Sequence, residues 1–139
     1  MAIETTILNH LVFDEEYGRK VIPFLKDEYF QSYNERLVFK LISEYVGNYN
    51  SFPSKEALAI DLSNKEGLNE DTFKNCKEVI ENLNHDPNTK LDWILDQAEV
   101  FCQDKALYLA VMKTIKIMDE KVKCHVLTSA NYLFFNDFF

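Results

Sequence analysis

Three pairs of neighbouring acids, Glu15/Glu16, Asp27/Glu28 and Glu70/Asp71, are the first residues to weigh for chemistry. Adjacent carboxylates can divide general-acid and general-base roles between them. All three pairs, however, fall at expected helix starts, where acids complement the positive end of the helix dipole, and their role reads as structural. His10, His85 and His125 are widely separated, and none stands in an HxxxH or HExxH pattern. Cys124 and His125 are adjacent, a poor geometry for joint chelation from one helical turn. Cys76 and Cys102 fall on apolar stripes and read as small core residues, so no metal is expected. Serines and threonines occur mainly as caps, without a GxSxG elbow. Gly18, Gly47 and Gly67 are too far apart to build a phosphate-cradling loop. No catalytic residue, cofactor-binding residue or cofactor is expected.

The elements that would position any site are read from composition and pattern. The chain has 139 residues, 47% hydrophobic and 27% charged. A domain of this length buries roughly 68% of its unfolded surface without disulfides or metals. Eleven Phe, seven Tyr and one Trp exclude a disordered chain. No stretch approaches the ~18 apolar residues of a membrane span, and no basic segment precedes an apolar run as in a signal peptide. Three cysteines without a CxxC point to reduced thiols and a cytoplasmic location. Fifteen basic residues against 23 acidic ones give −8, the wrong sign for tight DNA binding, which draws on phosphate neutralisation.

Every long apolar stripe repeats at three or four residues, which predicts an all-α fold. Ile3, Ile7, Leu8, Leu11 and Val12 form a first helix. Asp14 caps a second that Pro23 stops, with one helical turn around Asp27–Phe30. Ser32 and Glu35 fit a capping box for a helix carrying Val38, Leu41, Ile42, Tyr45, Val46 and Tyr49, which Gly47 and the Asn48–Pro53 stretch end. Ser54 and Asn69 cap two shorter helices, with Gly67 suited to the exit of the first. His85-Asp86-Pro87-Asn88 is the clearest boundary. Beyond it Thr89 and Asp92 resemble another capping box, and helical spacing runs on to about Lys121, with Phe101, Tyr108, Ile115 and Val122 near heptad positions. The expected organisation is a small helical head (1–84), a linker (85–88), then a long helix and a returning, truncated hairpin arm (89–139).

The run from Leu11 to Leu62 resembles the N-terminal domain of DnaB-like replicative helicases, phage members in particular. The resemblance rests on Leu11-Val12-Phe13-Asp14, Glu28-Tyr29-Phe30, Phe39-Lys40-Leu41-Ile42 and Phe52-Pro53-Ser54, in order, with the Trp93 region and the Phe101–Ile117 helix also similar. It implies a non-catalytic collar domain of helical head and hairpin, in which hairpins pair into up to a hexameric collar that takes part in docking primase. ATP hydrolysis would belong to a separate motor domain.

Self-association, as a dimer or larger, is therefore expected, with primase a further partner and no membrane contact. The expected contacts are Trp93, Phe101, Tyr108, Met112, Ile115, Leu133, Phe134 and Phe135, because Trp is enriched at interface hot spots and YLFFNDFF concentrates aromatics. A free-standing helical regulator that binds a helicase, loader or primase is the alternative. On either reading the purified 139-residue chain should neither hydrolyse ATP nor bind DNA tightly. DNA-stimulated ATP turnover in a coupled assay would overturn this.

Overall fold

A computed structural model describes the backbone of residues 3–138 and the side chains of residues 3–124. Among the described residues there are six α-helices and no strand: α1 Ile3–Phe13, α2 Glu15–Val21, α3 Tyr33–Tyr49, α4 Lys55–Asn64, α5 Glu70–Glu81 and α6 Leu91–Phe138. The all-α expectation holds. No helix among them is long and apolar enough to cross a membrane.

Local chemistry sets the helix starts. The carboxylate of Asp14 accepts from the Tyr17 N–H at 3.1 Å, Ser54 Oγ from Ala57 N–H at 3.1 Å, and Asn69 Oδ1 from Thr72 N–H at 2.7 Å. Each satisfies a donor left orphaned in a first turn, worth about 1 kcal/mol. The capping box at α3 is half formed. Ser32 Oγ accepts from Glu35 N–H, but the Glu35 carboxylate accepts from the Thr5 hydroxyl of α1 instead of reaching back, at 3.1 Å. Burial pushes that carboxyl above its ordinary range, with the Thr5 bond acting against the shift. At α6 the expected box does not form. The Thr89 hydroxyl donates to Asp86, and the first intrahelical bond runs from Ile94 N–H to the Lys90 carbonyl.

Helix ends follow backbone preference. After α2 the chain tightens into a 3-10 turn at Ile22–Phe24, where Pro23 needs no donor. A second 3-10 turn, Asp27–Tyr29, matches the turn expected there. Gly47 does not end α3. The helix runs over it to Tyr49, and Asn50 closes it in the left-handed region at φ 51°. Gly67, at φ +83°, sits in the turn after α4.

The chain forms two units, Met1–Cys102 and Gln103–Phe139. In the first, α3 packs on α1 and α5, and α4 packs on α3 and α5. Phe30 lies fully buried at the centre, stacked on Phe39 with ring centroids 5.0 Å apart and tilted against Phe101 at 5.8 Å. Arg36 fixes the connector that carries Phe30 by donating Nε and Nη2 to the Phe30 carbonyl. The expected end of the head at residue 84 is thus corrected. Ile94, Ala98 and Phe101 are buried with the head, so the first three turns of α6 belong to its core.

The second unit is the rest of α6. The returning arm expected within 89–139 is corrected too, because helix continues through Phe138. The sequence explains it, since neither Gly nor Pro occurs after Pro87. Without a glycine or a proline, the strongest turn residues, the pattern favours further helix over a turn.

A close approach makes Gly18 necessary. A Cβ there would lie 2.6 Å from the Phe52 ring, whereas one at Gly47 would meet nothing within 4 Å. Gly18→Val should therefore lower stability by about 1–3 kcal/mol through overpacking. Gly47→Ala should raise it by about 0.5–1 kcal/mol through a less flexible unfolded chain. Urea unfolding followed by circular dichroism measures both. Equal midpoints for the parent and Gly18→Val would contradict the packing.

Candidate functional site

The residues with chemical potential are dispersed. Glu15 and Glu16 pair one turn on with Arg19 at 2.6 Å and Lys20 at 3.4 Å, and Asp27 meets Lys40 at 3.5 Å. Glu70 and Asp71 occupy the first turn of α5. Such exposed pairs are worth little, and each acid sits where the helix dipole favours it. Cys76 is buried, with Sγ 3.8 Å from the Asn34 carbonyl, and burial pushes its thiol and that of Cys102 upward. Cys124 is exposed. Thiols raised by burial are poor nucleophiles near neutral pH. His125 lies outside the described side chains. Among the described residues no group of three or more His, Cys, Asp or Glu is arranged to hold a metal.

His10 and His85 do share a cleft of about 260 Å³ with Phe13, Asp14 and Asp86. Its contents are mostly committed. His10 is buried, bonds the Thr6 carbonyl through Nδ1 at 2.9 Å, and meets the Tyr17 ring edge-on. His85 packs edge-on against Phe13 at 5.9 Å. The Thr89 hydroxyl and the Asn88 N–H hold the Asp86 carboxyl below its usual range. Asn9 Oδ1 accepts from Asn84 N–H, so the cleft reads as the seam that ties the 82–90 loop to α1.

The largest apolar surface without a structural explanation among the described residues is α6 beyond Cys102. Leu107, Tyr108, Val111, Met112, Ile115, Met118 and Val122 are each between 46% and 66% exposed. At 100° per residue they fall within an arc of roughly 140°, which also takes in Asp119, while Ile117, 44% exposed, falls outside it. Apolar side chains so concentrated mark an association surface more often than a solvated one.

The expected interface residues divide accordingly. Tyr108, Met112 and Ile115 lie on this arc. Trp93 is half exposed, in the first unit. Phe101 is corrected: it is 5% exposed and packs against Tyr29 and Phe30 of its own chain, so it is a core residue. Leu133, Phe134 and Phe135 lie outside the described side chains. Leu107, Val111 and Met118 were missed by heptad spacing counted from Phe101. The signal that finds them is an 11-residue spacing, Leu107 to Met118 and Val111 to Val122, which follows a nearly straight helix where a seven-residue count drifts.

No family model matches the chain. It is 36% identical over 111 residues, 80% of its length, to the DnaB-like replicative helicase of Enterobacteria phage T4. Over that stretch the chain is similar to a DnaB-like replicative helicase. The resemblance read from Leu11–Asp14, Glu28–Phe30 and Phe52–Ser54 is thereby borne out. The matched region spans 23% of the T4 protein, about a quarter of that relative's length.

The division of α6 at Cys102 is open to mutation. Phe101→Ala should cost about 3–5 kcal/mol, as for other buried aromatics. Tyr108→Ser should stay within about 0.5 kcal/mol apart from any change in association. Denaturant midpoints at micromolar concentration check both, and equal losses would contradict the assignment.

Proposed function

We propose that the chain is the non-catalytic N-terminal collar domain of a phage replicative DNA helicase, serving subunit assembly and primase docking. One observation supports the reading most. A relative of a replicative helicase completes its packed unit by Cys102 and then carries a helix whose apolar arc faces solvent. A side chain the size of Ile or Met gains about 1.5–3 kcal/mol on full burial, so several together offset much of the cost of association.

The rest of the reading follows from charge and coverage. A chain of −8 is repelled by the phosphate backbone, so DNA contact and ATP-driven translocation fall to the part of the parent protein beyond the matched quarter. The domain's own work is self-association, as a dimer or larger and up to a hexameric collar. Primase is the second partner, in the host cytoplasm.

Light scattering across a concentration series tests the central part. The parent should show a mass of two or more chains at micromolar concentration. Tyr108→Ser/Met112→Ser should move towards a single chain with its helical content kept. A parent that stays monomeric at hundreds of micromolar would overturn the assembly reading.

A further inference from the structure

Two residues of the first unit carry exposed apolar surface that its own packing does not explain. Trp93 and Val100 lie on the first turns of α6 and are each 50% exposed, while Ile94, Ala98 and Phe101 of the same turns are buried. The helix is continuous from Leu91 to Phe138. On its projection Trp93, Val100, Leu107, Val111, Met118 and Val122 fall within roughly 60°, a stripe turned roughly 110° from the direction of the buried residues. Asp104 projects at the edge of this stripe, beside Val122. Asp119 lies roughly 90° from its centre and pairs with Lys123 of its own helix at 3.1 Å.

The charges along α6 are separated rather than mixed. Residues 91–104 hold Asp92, Asp96, Glu99 and Asp104 and no base, whereas residues 105–118 hold Lys105, Lys113 and Lys116 and no acid. Asp92 and Asp96 stand one turn apart, a like-charge spacing that weakens a helix on its own. Neither has an ion pair among the described residues, nor does Lys121 in the second unit, and all three are exposed. The three project on the same flank of the stripe. Laid parallel and in register, two such helices would set acids against acids and lysines against lysines, which opposes binding. Laid antiparallel, the acidic first part of each meets the basic second part of the other. The two-fold axis of an antiparallel pair also brings like flanks together, so Asp92 and Asp96 look towards Lys121 of the other chain.

We infer that the exposed stripe of α6 binds the same stripe of a second copy of this chain antiparallel, with Trp93 inside the contact. The inference rests on the assembly reading above and adds the orientation of the pair and the part of the contact that the first unit supplies. A pairing centred beside Leu107 would lay Val100 between Val111 and Met118 of the second copy and Trp93 beside its Val122. The same register sets Lys121 of the second copy between Asp92 and Asp96, and leaves Asp104 at the rim. The contact is isologous, so each of these interactions occurs twice. A tryptophan set in apolar surface and flanked by charges is the composition of an interface anchor.

Trp93 is the sole tryptophan of the chain, so its emission reports this contact directly. Across a concentration series followed in parallel by light scattering, the parent's emission should move to shorter wavelength as the two-chain mass appears. Charge reversal tests the orientation. Asp96→Lys and Lys121→Glu each replace an exposed side chain, and circular dichroism should stay at the parent's value. Either variant alone sets like charges together at both ends of the pair and should associate roughly tenfold more weakly than the parent by sedimentation. An equimolar mixture of the two should regain the parent's affinity, because every contact between positions 96 and 121 then joins opposite charges. Association of the parent with unchanged Trp93 emission, variants that associate as tightly as the parent, or a mixture no tighter than either variant would overturn this inference and leave the assembly reading intact. A parent that stays monomeric at hundreds of micromolar would overturn the assembly reading and this inference with it.

Discussion

The contact of Phe101 with Phe30 is the interaction on which the rest of the first unit depends. Phe30 follows the Asp27–Tyr29 turn, donates its N–H to the Asp27 carbonyl, and is held by Arg36 and wedged between Phe39 and Phe101. Aromatic pairs of this kind contribute about 0.5–1.5 kcal/mol each beyond the area they bury. Through them α3, the connector and the start of α6 share one core. The same contact decides where α6 stops being a core helix: Phe101 is buried, and from Gln103 to Cys124 its side chains are largely exposed.

A single helix thus has two jobs separated by one turn. Up to Phe101 it presents Ile94 and Ala98 to its own head. Beyond, it has an apolar arc and no head beneath it in the same unit, and an uncovered helix draws little stability from propensity alone. Its sequence carries good helix formers and no breaker, which sustains the helical backbone, yet the exposed Leu, Val, Ile and Met side chains are a liability unless covered. The change of charge coincides with the change of job. Residues 1–102 carry a net charge of −9, whereas residues 103–124 carry +2.

Much of the local structure was legible in the sequence because its causes are local. Asp14, Ser54 and Asn69 cap helices as their residue types and spacing suggest, and Pro23 ends α2. Glu35 was legible only in part, since the competing acceptor role towards Thr5 comes from a residue thirty positions away. Phe101 was misassigned because periodicity gives the apolar face of a helix without saying what covers it. Its burial depends on Tyr29 and Phe30, whose placement no local rule supplies. The returning arm was inferred from renewed apolar spacing after Lys123, a signal that a continuing helix gives equally well. The absence of Gly and Pro favours the continuing helix. The association surface was half legible: Tyr108, Met112 and Ile115 were found, whereas the 11-residue register of Leu107 and Met118 was obscured by counting from a core residue.

Hydrogen–deuterium exchange of the intact chain at two concentrations, one below and one above the onset of association, tests the central claim that another copy covers the second part of α6. An uncovered helix exchanges by local opening, and covering it slows that opening. Amides from Leu107 to Val122 should become markedly slower at the higher concentration, while those from Ile94 to Phe101, already protected by their own head, should not change. Exchange of the Leu107–Val122 amides that is the same at both concentrations, in a sample shown by mass to be associated, would contradict it.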